Sequence, residues 1–458
     1  MKRSGIPKLA AISAGLMLAA FGILNSRVGI RRASASTVIV TSTADSGPGS
    51  LRDAVGSAAP FDIIMFNLAF PATISLTTGQ IDITSSLAIT GPGANLLTIS
   101  GSHLSRIFSV SANPTVTIAG LTIANGTDEV DDLGGGAISS AGTLSVINCA
   151  FTGNGTAGGA GAILNAGKLL VTNSTFSLNS TNLDGGAISN VGGTLSATNC
   201  TFSNNTADTG GGGIETESGG GITITNCTFN SNASAGSGGG ILIGAKTTLD
   251  LRNTIIAGSI GGDCVNGGSI NTNSHNLIQD GSCSPTLSGS PMLGPLQNNG
   301  GPTQTFALLA GSPAIDAGDD SVLGPPLSLA TDQRGPGFPR KSGLHVDIGA
   351  FELQAPAGPS FDTCLKDNGT GNLLQWNSAT GQYTFTRCSD GFTLTGTGSV
   401  ALVNGIGTLR DFKIDRRISA GFNTSQLTGS ATIYLKVAQG AWQTLRIVDT
   451  NPSAVCKC

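Results

Sequence analysis

A glycine-rich turn followed by isoleucine returns five times along this chain, at Gly134 to Ile138, Gly159 to Ile163, Gly185 to Ile188, Gly210 to Ile214 and Gly238 to Ile241. The isoleucine spacings are 25, 25, 26 and 27. A second mark, F-x-x-N, keeps the same beat at Phe151/Asn154, Phe176/Asn179, Phe202/Asn205 and Phe229/Asn232. A third series, Asn148, Asn173, Asn199, Asn226 and Asn253, stands three residues before each Phe and runs on to Ile256, which takes the Phe place in a degenerate repeat. Marks that share one period place equivalent residues at equivalent points of a solenoid.

Short β-branched pieces such as Thr143 to Ile147 and Gly221 to Thr225 fit between the turns, and the glycine density rules out helical repeats. The expectation is an all-β chain whose body is a right-handed parallel β-helix with three short strands per turn. Coils would stack about 4.8 Å apart, with Phe and Ile forming interior ladders and each F-x-x-N asparagine bonding to its counterparts above and below. Earlier pieces, Ile81 to Ile83, Leu87 to Ile89 and Val116 to Ile118, read as glycine-poor coils, giving about ten coils between Thr37 and Leu353.

The paired G-G-A-I and F-x-x-N motifs of residues 120 to 260 resemble the repeats of the chlamydial polymorphic outer membrane proteins, which implies a β-helical surface passenger. The run around Ser46 to Ala54, with Ser50-Leu-Arg-Asp-Ala54 and then Asp62, Ile63 and Phe66, resembles the CSLREA-type N-terminal segment of bacterial β-helix proteins, without its leading Cys. Ser312-Pro-Ala-Ile-Asp-Ala-Gly318, Asp332-Gln-Arg-Gly335, Arg340 and Asp347-Ile-Gly-Ala-Phe-Glu352 resemble the choice-of-anchor Q segment of surface β-helix proteins.

An open solenoid end exposes unpaired strand edges, so each end requires cover. At the front, a strand from Thr37 and a short helix from Ser50 to Ala58, capped by Ser50, are expected to lie across the first coil, making residues 36–66 a cap. Residues 291–353 are expected to cap the other end. A linker at 354–360 leads to a cysteine-containing β domain at 361–458. Alternating strands at Tyr383 to Arg387, Phe392 to Gly396, Leu409 to Ile414 and Thr432 to Val437 suggest a small antiparallel sandwich or barrel there.

Lys2, Arg3 and Lys8 precede an apolar run from Leu9 to Leu24, and Ala33, Ser34 and Ala35 supply an A-x-A site. Residues 1–35 read as a secretory signal, with an uncleaved anchor as the alternative because Arg27, Arg31 and Arg32 follow the apolar run. No later segment is apolar enough to cross a bilayer as a helix. The expected location is extracellular or at the cell surface.

Charged residues make up 11% of the chain and the net charge is −4, so no basic surface for phosphates is indicated and nucleic acid is not an expected partner. Extracellular polysaccharide or surface proteins are the expected partners of a monomer with an adhesive, binding or protective role. The alternative is a polysaccharide lyase or glycoside hydrolase on the same scaffold. Glu215 and Glu217 follow one Gly-Ile turn but have no acidic counterparts in neighbouring repeats, and they read as a surface pair rather than a catalytic dyad. No catalytic residue is assigned, and the enzyme alternative is left open.

Asp128, Glu129, Asp131 and Asp132 bring four carboxylates into one loop, where calcium is the one cofactor considered; a solvated acidic loop is the competing reading. Asp316, Asp332, Arg334, Arg340, Asp347 and Glu352 read as architecture, ion pairs that satisfy irregular backbone. His103, His275 and His345 lack metal spacing. Cys149, Cys200 and Cys227 occupy one register of the repeat and are expected to stay reduced, since parallel neighbours stand too far apart to bond. Cys264 is expected to bond Cys283, and Cys364 and Cys388 to pair with Cys456 and Cys458 in an order left open.

Overall fold

The computed structural model describes residues 35–128, 134–217 and 219–354. Beyond them it describes the backbone of the strands Thr363–Lys366, Leu373–Trp376, Gln382–Arg387, Phe392–Val403, Ile406–Lys413, Ala431–Lys436 and Trp442–Ile447. The signal reading at 1–35 rests almost wholly on residues outside these.

One coil shows why the sequence winds as it does. Ile138–Ser140, Thr143–Ile147, Ala150–Thr152 and Gly155–Thr156 are strands separated by sharp turns, and each pairs in parallel with the strand one repeat later. Repetition builds four parallel sheets. Sheet 1, containing Ile138–Ser140, has 8 strands, sheet 2, containing Thr143–Ile147, has 10, sheet 3, containing Ala150–Thr152, has 9, and sheet 4, containing Gly155–Thr156, has 5. The middle coils thus carry a fourth, two-residue strand in place of the three expected, because the segment after the F-x-x-N asparagine is just long enough to pair before the glycine turn.

The interior is a set of ladders. Ile138, Ile163, Ile188, Ile214 and Ile241 pair in register and are fully buried. Phe151, Phe176, Phe202 and Phe229 stack with ring centroids 4.7, 5.0 and 4.4 Å apart and nearly parallel planes. Asn154, Asn179, Asn205 and Asn232 are also fully buried, and each side-chain amide donates to the next carbonyl at 2.9 Å. A buried amide is stabilising only when satisfied, and stacking at the strand spacing satisfies all but the ends.

The Asn148 series recurs for a different reason. Asn148, Asn173, Asn199, Asn226 and Asn253 have φ of +53°, +51°, +52°, +51° and +48°, the left-handed region that asparagine tolerates best among residues with a Cβ. They turn the corner between sheets 2 and 3 at five successive coils. Both side-chain polar atoms of Asn226 are buried without a hydrogen bond, so backbone conformation rather than amide bonding explains this residue.

At the front, helix α1 spans Leu51–Ser57, with the Ser50 side chain accepting from the Asp53 amide, and it buries Leu51, Ala54 and Val55. These join Val40 in the same core as the coils.

The C-terminal cover is not where the sequence reading put it. The solenoid ends at Leu277–Ile278, after roughly nine turns rather than ten. A short loop closes it. Cys283 bonds Cys264 on the last strand of sheet 1, the carbonyls of Cys283 and Ser284 accept from Asn273 on the last strand of sheet 2, and Leu287 bridges Leu277 on the last strand of sheet 3. Residues 291–353 instead run back along the flank as a strap over the outer face of sheet 3. The strap opens with an antiparallel hairpin, Leu293–Gln297 with Thr305–Leu308, and continues as largely irregular chain.

The flank position has a physical cause in sheet 3. The outward residues of its last strands, Ile255, Ala257 and Leu277, are apolar and form a second core with Leu308, Ala314, Ile348 and Phe351 of the strap. One coil earlier the outward residue is Thr228, which still contacts the strap but through its hydroxyl.

Beyond the strap, five strands from Thr363–Lys366 to Ile406–Lys413 form an antiparallel sheet, and Ala431–Lys436 pairs antiparallel with Trp442–Ile447. Among the described residues no helix is long and apolar enough to cross a membrane.

Candidate functional site

A cleft of about 460 Å³ runs along the outer face of sheet 1. Its floor is formed by outward residues of consecutive coils, Ser139, Leu164 and Ser189 in one row and Ala141, Ala166, Val191 and Glu217 in the next. Leu183 and Asp184, from the turn before Ile188, form its wall.

Glu215 lies beneath the end of this cleft. It is only 3% exposed, although it points away from the solenoid interior, because the preceding glycine turn folds back over it. A Cβ added at Gly211 would stand 2.5 Å from that of Glu215, and Gly211 has φ +60°, so only glycine lets the loop lie this close. The expected surface pair is therefore half right. Glu217 is exposed and Glu215 is not. The repeat contained the signal, since the same fold-back brings Gly185 against Ser189 and Gly238 against Leu242.

Burial pushes the Glu215 carboxyl up to about 8, with nearby Glu217 and Asp184 adding to the rise and a hydrogen bond from Ser189 opposing it. The Ser189 hydroxyl donates to Glu215 Oε2 at 2.9 Å. Asp184 accepts from the Thr209 hydroxyl. Among the described residues no basic side chain pairs with Asp184, Glu215 or Glu217. The cleft thus presents Asp184 and Glu217 among small and apolar residues, with the Glu215 carboxyl buried beneath its end and not among the lining residues.

Of the four acids read as a calcium loop, only Asp128 is described. Its carboxylate accepts from the Arg106 guanidinium and from the Gly134 amide. Arg106 also donates to the carbonyls of Gly134 and Gly135, so this acid clamps the first glycine turn. Glu129, Asp131 and Asp132 lie outside the described residues. Among those described, no group of three His, Cys, Asp or Glu side chains is placed to hold a metal.

The strap acids and arginines form a structural network. Arg334 bonds Asp332 at 2.6 and 3.0 Å and lies 3.9 Å from the ring centroids of both Phe338 and Phe351. Fully buried Arg340 bonds Glu352 and the carbonyls of Gly349 and Asp347 at 3.0 Å each. Burial raises the carboxyls of Asp347 and Glu352, the latter to about 7. Asp316 donates its backbone amide to Asp347 at 2.7 Å.

Cys264 and Cys283 form a disulfide, while Cys149, Cys200 and Cys227 are buried and free. Cys364 lies on a described strand with its side chain outside the description, and Cys388, Cys456 and Cys458 lie outside it altogether. His103, His275 and His345 are exposed, and only His345 has an acidic partner, Asp320 at 3.3 Å.

A second concavity, about 300 Å³, lies on the outer face of sheet 3 against the hairpin end of the strap. Coil residues Ala94, Thr122, Ala150 and Thr152 face strap residues Asn298 and Gly301 to Gln304 across it.

Residues 87–256 match the family model for the right handed β helix region, in agreement with the parallel coils described above. No curated protein matches the chain.

Proposed function

We propose that this chain is an exported scaffold of the cell surface or extracellular space that binds or adheres through the flanks of its solenoid. The observation that carries this reading is the character of the outward positions. In the middle coils they are mainly hydroxyl, amide and small side chains in parallel rows, as in Thr115, Thr117, Thr143, Ser145, Thr194 and Ser196 on sheet 2. Such a surface presents many neutral hydrogen-bonding groups and little charge, which suits uncharged extracellular partners and not phosphates.

The charged, apolar and A-x-A pattern of residues 2–35 supports export, and the segments similar to CSLREA-type and choice-of-anchor Q proteins support residence at the surface. Fractionating cells that produce the full chain, with N-terminal sequencing of the recovered protein, tests this. Recovery outside the cytoplasm with an N-terminus near Ser36 is expected. Cytoplasmic recovery of the intact chain would refute it.

A second reading, cleavage of a polysaccharide, is favoured by one observation, the buried Glu215 beside Glu217 and Asp184. A carboxyl that keeps its proton at neutral pH can protonate a glycosidic oxygen, and a second carboxylate can serve as base or nucleophile. Against it, the cleft has no aromatic ring on which a sugar could stack. Turnover of a polysaccharide panel that disappears in Glu215→Gln would establish this reading.

A further inference from the structure

We infer that the groove on the outer face of sheet 3, at the free end of the strap, is a binding site for an uncharged, hydroxyl-rich saccharide chain. The inference rests on the surface-binding reading and gives it a location and a ligand class.

The strap shows how this face holds an irregular polar chain. Thr175 donates its hydroxyl to the Gln304 carbonyl at 2.6 Å, Thr201 donates to the Gln333 side chain at 2.6 Å, and Thr228 accepts from the Ala350 amide at 3.0 Å. Recognition is by a row of threonine hydroxyls at the coil spacing and not by strand pairing. The strands beneath are paired on both sides, so no backbone edge is open to an added peptide strand.

The same face continues past the strap. Pairing carries the row of Thr201 and Thr175 back through Ala150 to Thr122, and the last three of these line the groove, with the Thr122 hydroxyl donating to the Ala94 carbonyl at 2.6 Å. The groove has no charged side chain among its lining residues. Asn95 and Gln304 are exposed on opposite sides of it, and neither side-chain amide has a hydrogen-bond partner among the described residues. Ala94, Ala150 and Pro302 add apolar carbon to the same lining. A neutral pyranose presents the complementary surface, hydroxyls at its edge and C–H groups on its faces. A uronate or phosphate would enter with a charge that nothing in the groove neutralises.

The test is calorimetric titration of the full chain with neutral gluco-, manno- and xylo-oligosaccharides and with oligogalacturonate. At least one neutral series is expected to bind. Ala150→Arg, which fills the groove, and the pair Asn95→Ala with Gln304→Ala are each expected to weaken that binding by about tenfold or more, with unchanged thermal midpoints. Asp82→Asn, at an exposed position on the first strand of sheet 1 and away from both concavities, is expected to leave it within about twofold. Undiminished binding in both groove variants would overturn the location while leaving surface binding intact. Preference for oligogalacturonate, or no binding by any neutral series, would overturn the ligand class. Failure of the surface reading itself would register separately, as cytoplasmic recovery in the fractionation.

Discussion

Gln333 accepts a hydrogen bond from the hydroxyl of Thr201, 132 residues earlier in the chain, at 2.6 Å. Its amide donates to Thr175 at 2.9 Å, to Thr303 at 3.0 Å and to the Gln304 carbonyl at 3.1 Å. One fully buried side chain thus ties two coils to both arms of the strap.

Replacing Gln333 with leucine, close in size, should therefore cost more than an average buried hydrogen bond, because it leaves three buried hydroxyls short of a partner. A loss of about 2 to 4 kcal/mol is expected in chemical denaturation. Hydrogen exchange should show the loss concentrated in the strap, with protection between Gly300 and Phe351 falling while that of the Phe151 to Phe229 ladder is kept. Equal loss in coils and strap would mean that the strap is not a separate unit.

The two asparagine series should respond in opposite ways. Asn205 accepts from the amide and backbone of Asn179 and donates to Asn232 and the Phe176 carbonyl. Asn205→Ala breaks the ladder in its middle and is expected to cost about 3 kcal/mol or more. Asn226 sits at φ +51° with both side-chain polar atoms unsatisfied, so Asn226→Gly should stay within about 1 kcal/mol of the parent and be better tolerated than Asn226→Val. Urea midpoints of the three variants decide this.

The solenoid was legible because its period is written three times over, in Ile, Phe and Asn, and each mark answers to a separate requirement of a coil. The strap was misplaced because apolar outward residues such as Ile255, Ala257 and Leu277 look like core in a linear reading. Only the alternation with Ile256 and Ile278 shows that they face the other way. Glu215 was taken as exposed for a related reason. An outward position on a strand implies solvent unless something folds over it, and what folds over it is the glycine turn that had been read only as a corner.

Stability should fall as pH rises through the neutral range. The Glu215 carboxyl moves from an ordinary value near 4.5 to about 8 in the folded chain, and Glu352 to about 7. Below about pH 4.5 both are protonated folded or unfolded, so neither penalises the fold. Between there and pH 8 the unfolded chain loses these protons while the folded chain keeps them, which favours unfolding progressively. Glu215→Gln cannot ionise and should flatten this slope, by up to a few kcal/mol across the window. Denaturation midpoints near pH 5 and near pH 8.5 for both proteins measure it, and parallel slopes would count against a buried, protonated Glu215.

The closure of the solenoid depends on a bond between two residues 19 apart, Cys264 and Cys283. Cross-linking a loop of this length restricts the unfolded chain and is worth about 3 kcal/mol. Its removal should also act locally. The closing loop holds Asn273 of sheet 2 and Leu277 of sheet 3, and the backbone amides of Asp263 and Asp280 each donate to the other's carboxylate beside the bond. The paired substitution Cys264→Ser with Cys283→Ser is therefore expected to fray the last coil first. Hydrogen exchange should accelerate from Ile255 to Ile278 and leave the front coils, sealed by α1 and its buried Leu51, unchanged. Uniform acceleration along all coils would show that the solenoid unfolds as one unit and that the loop is no local lid.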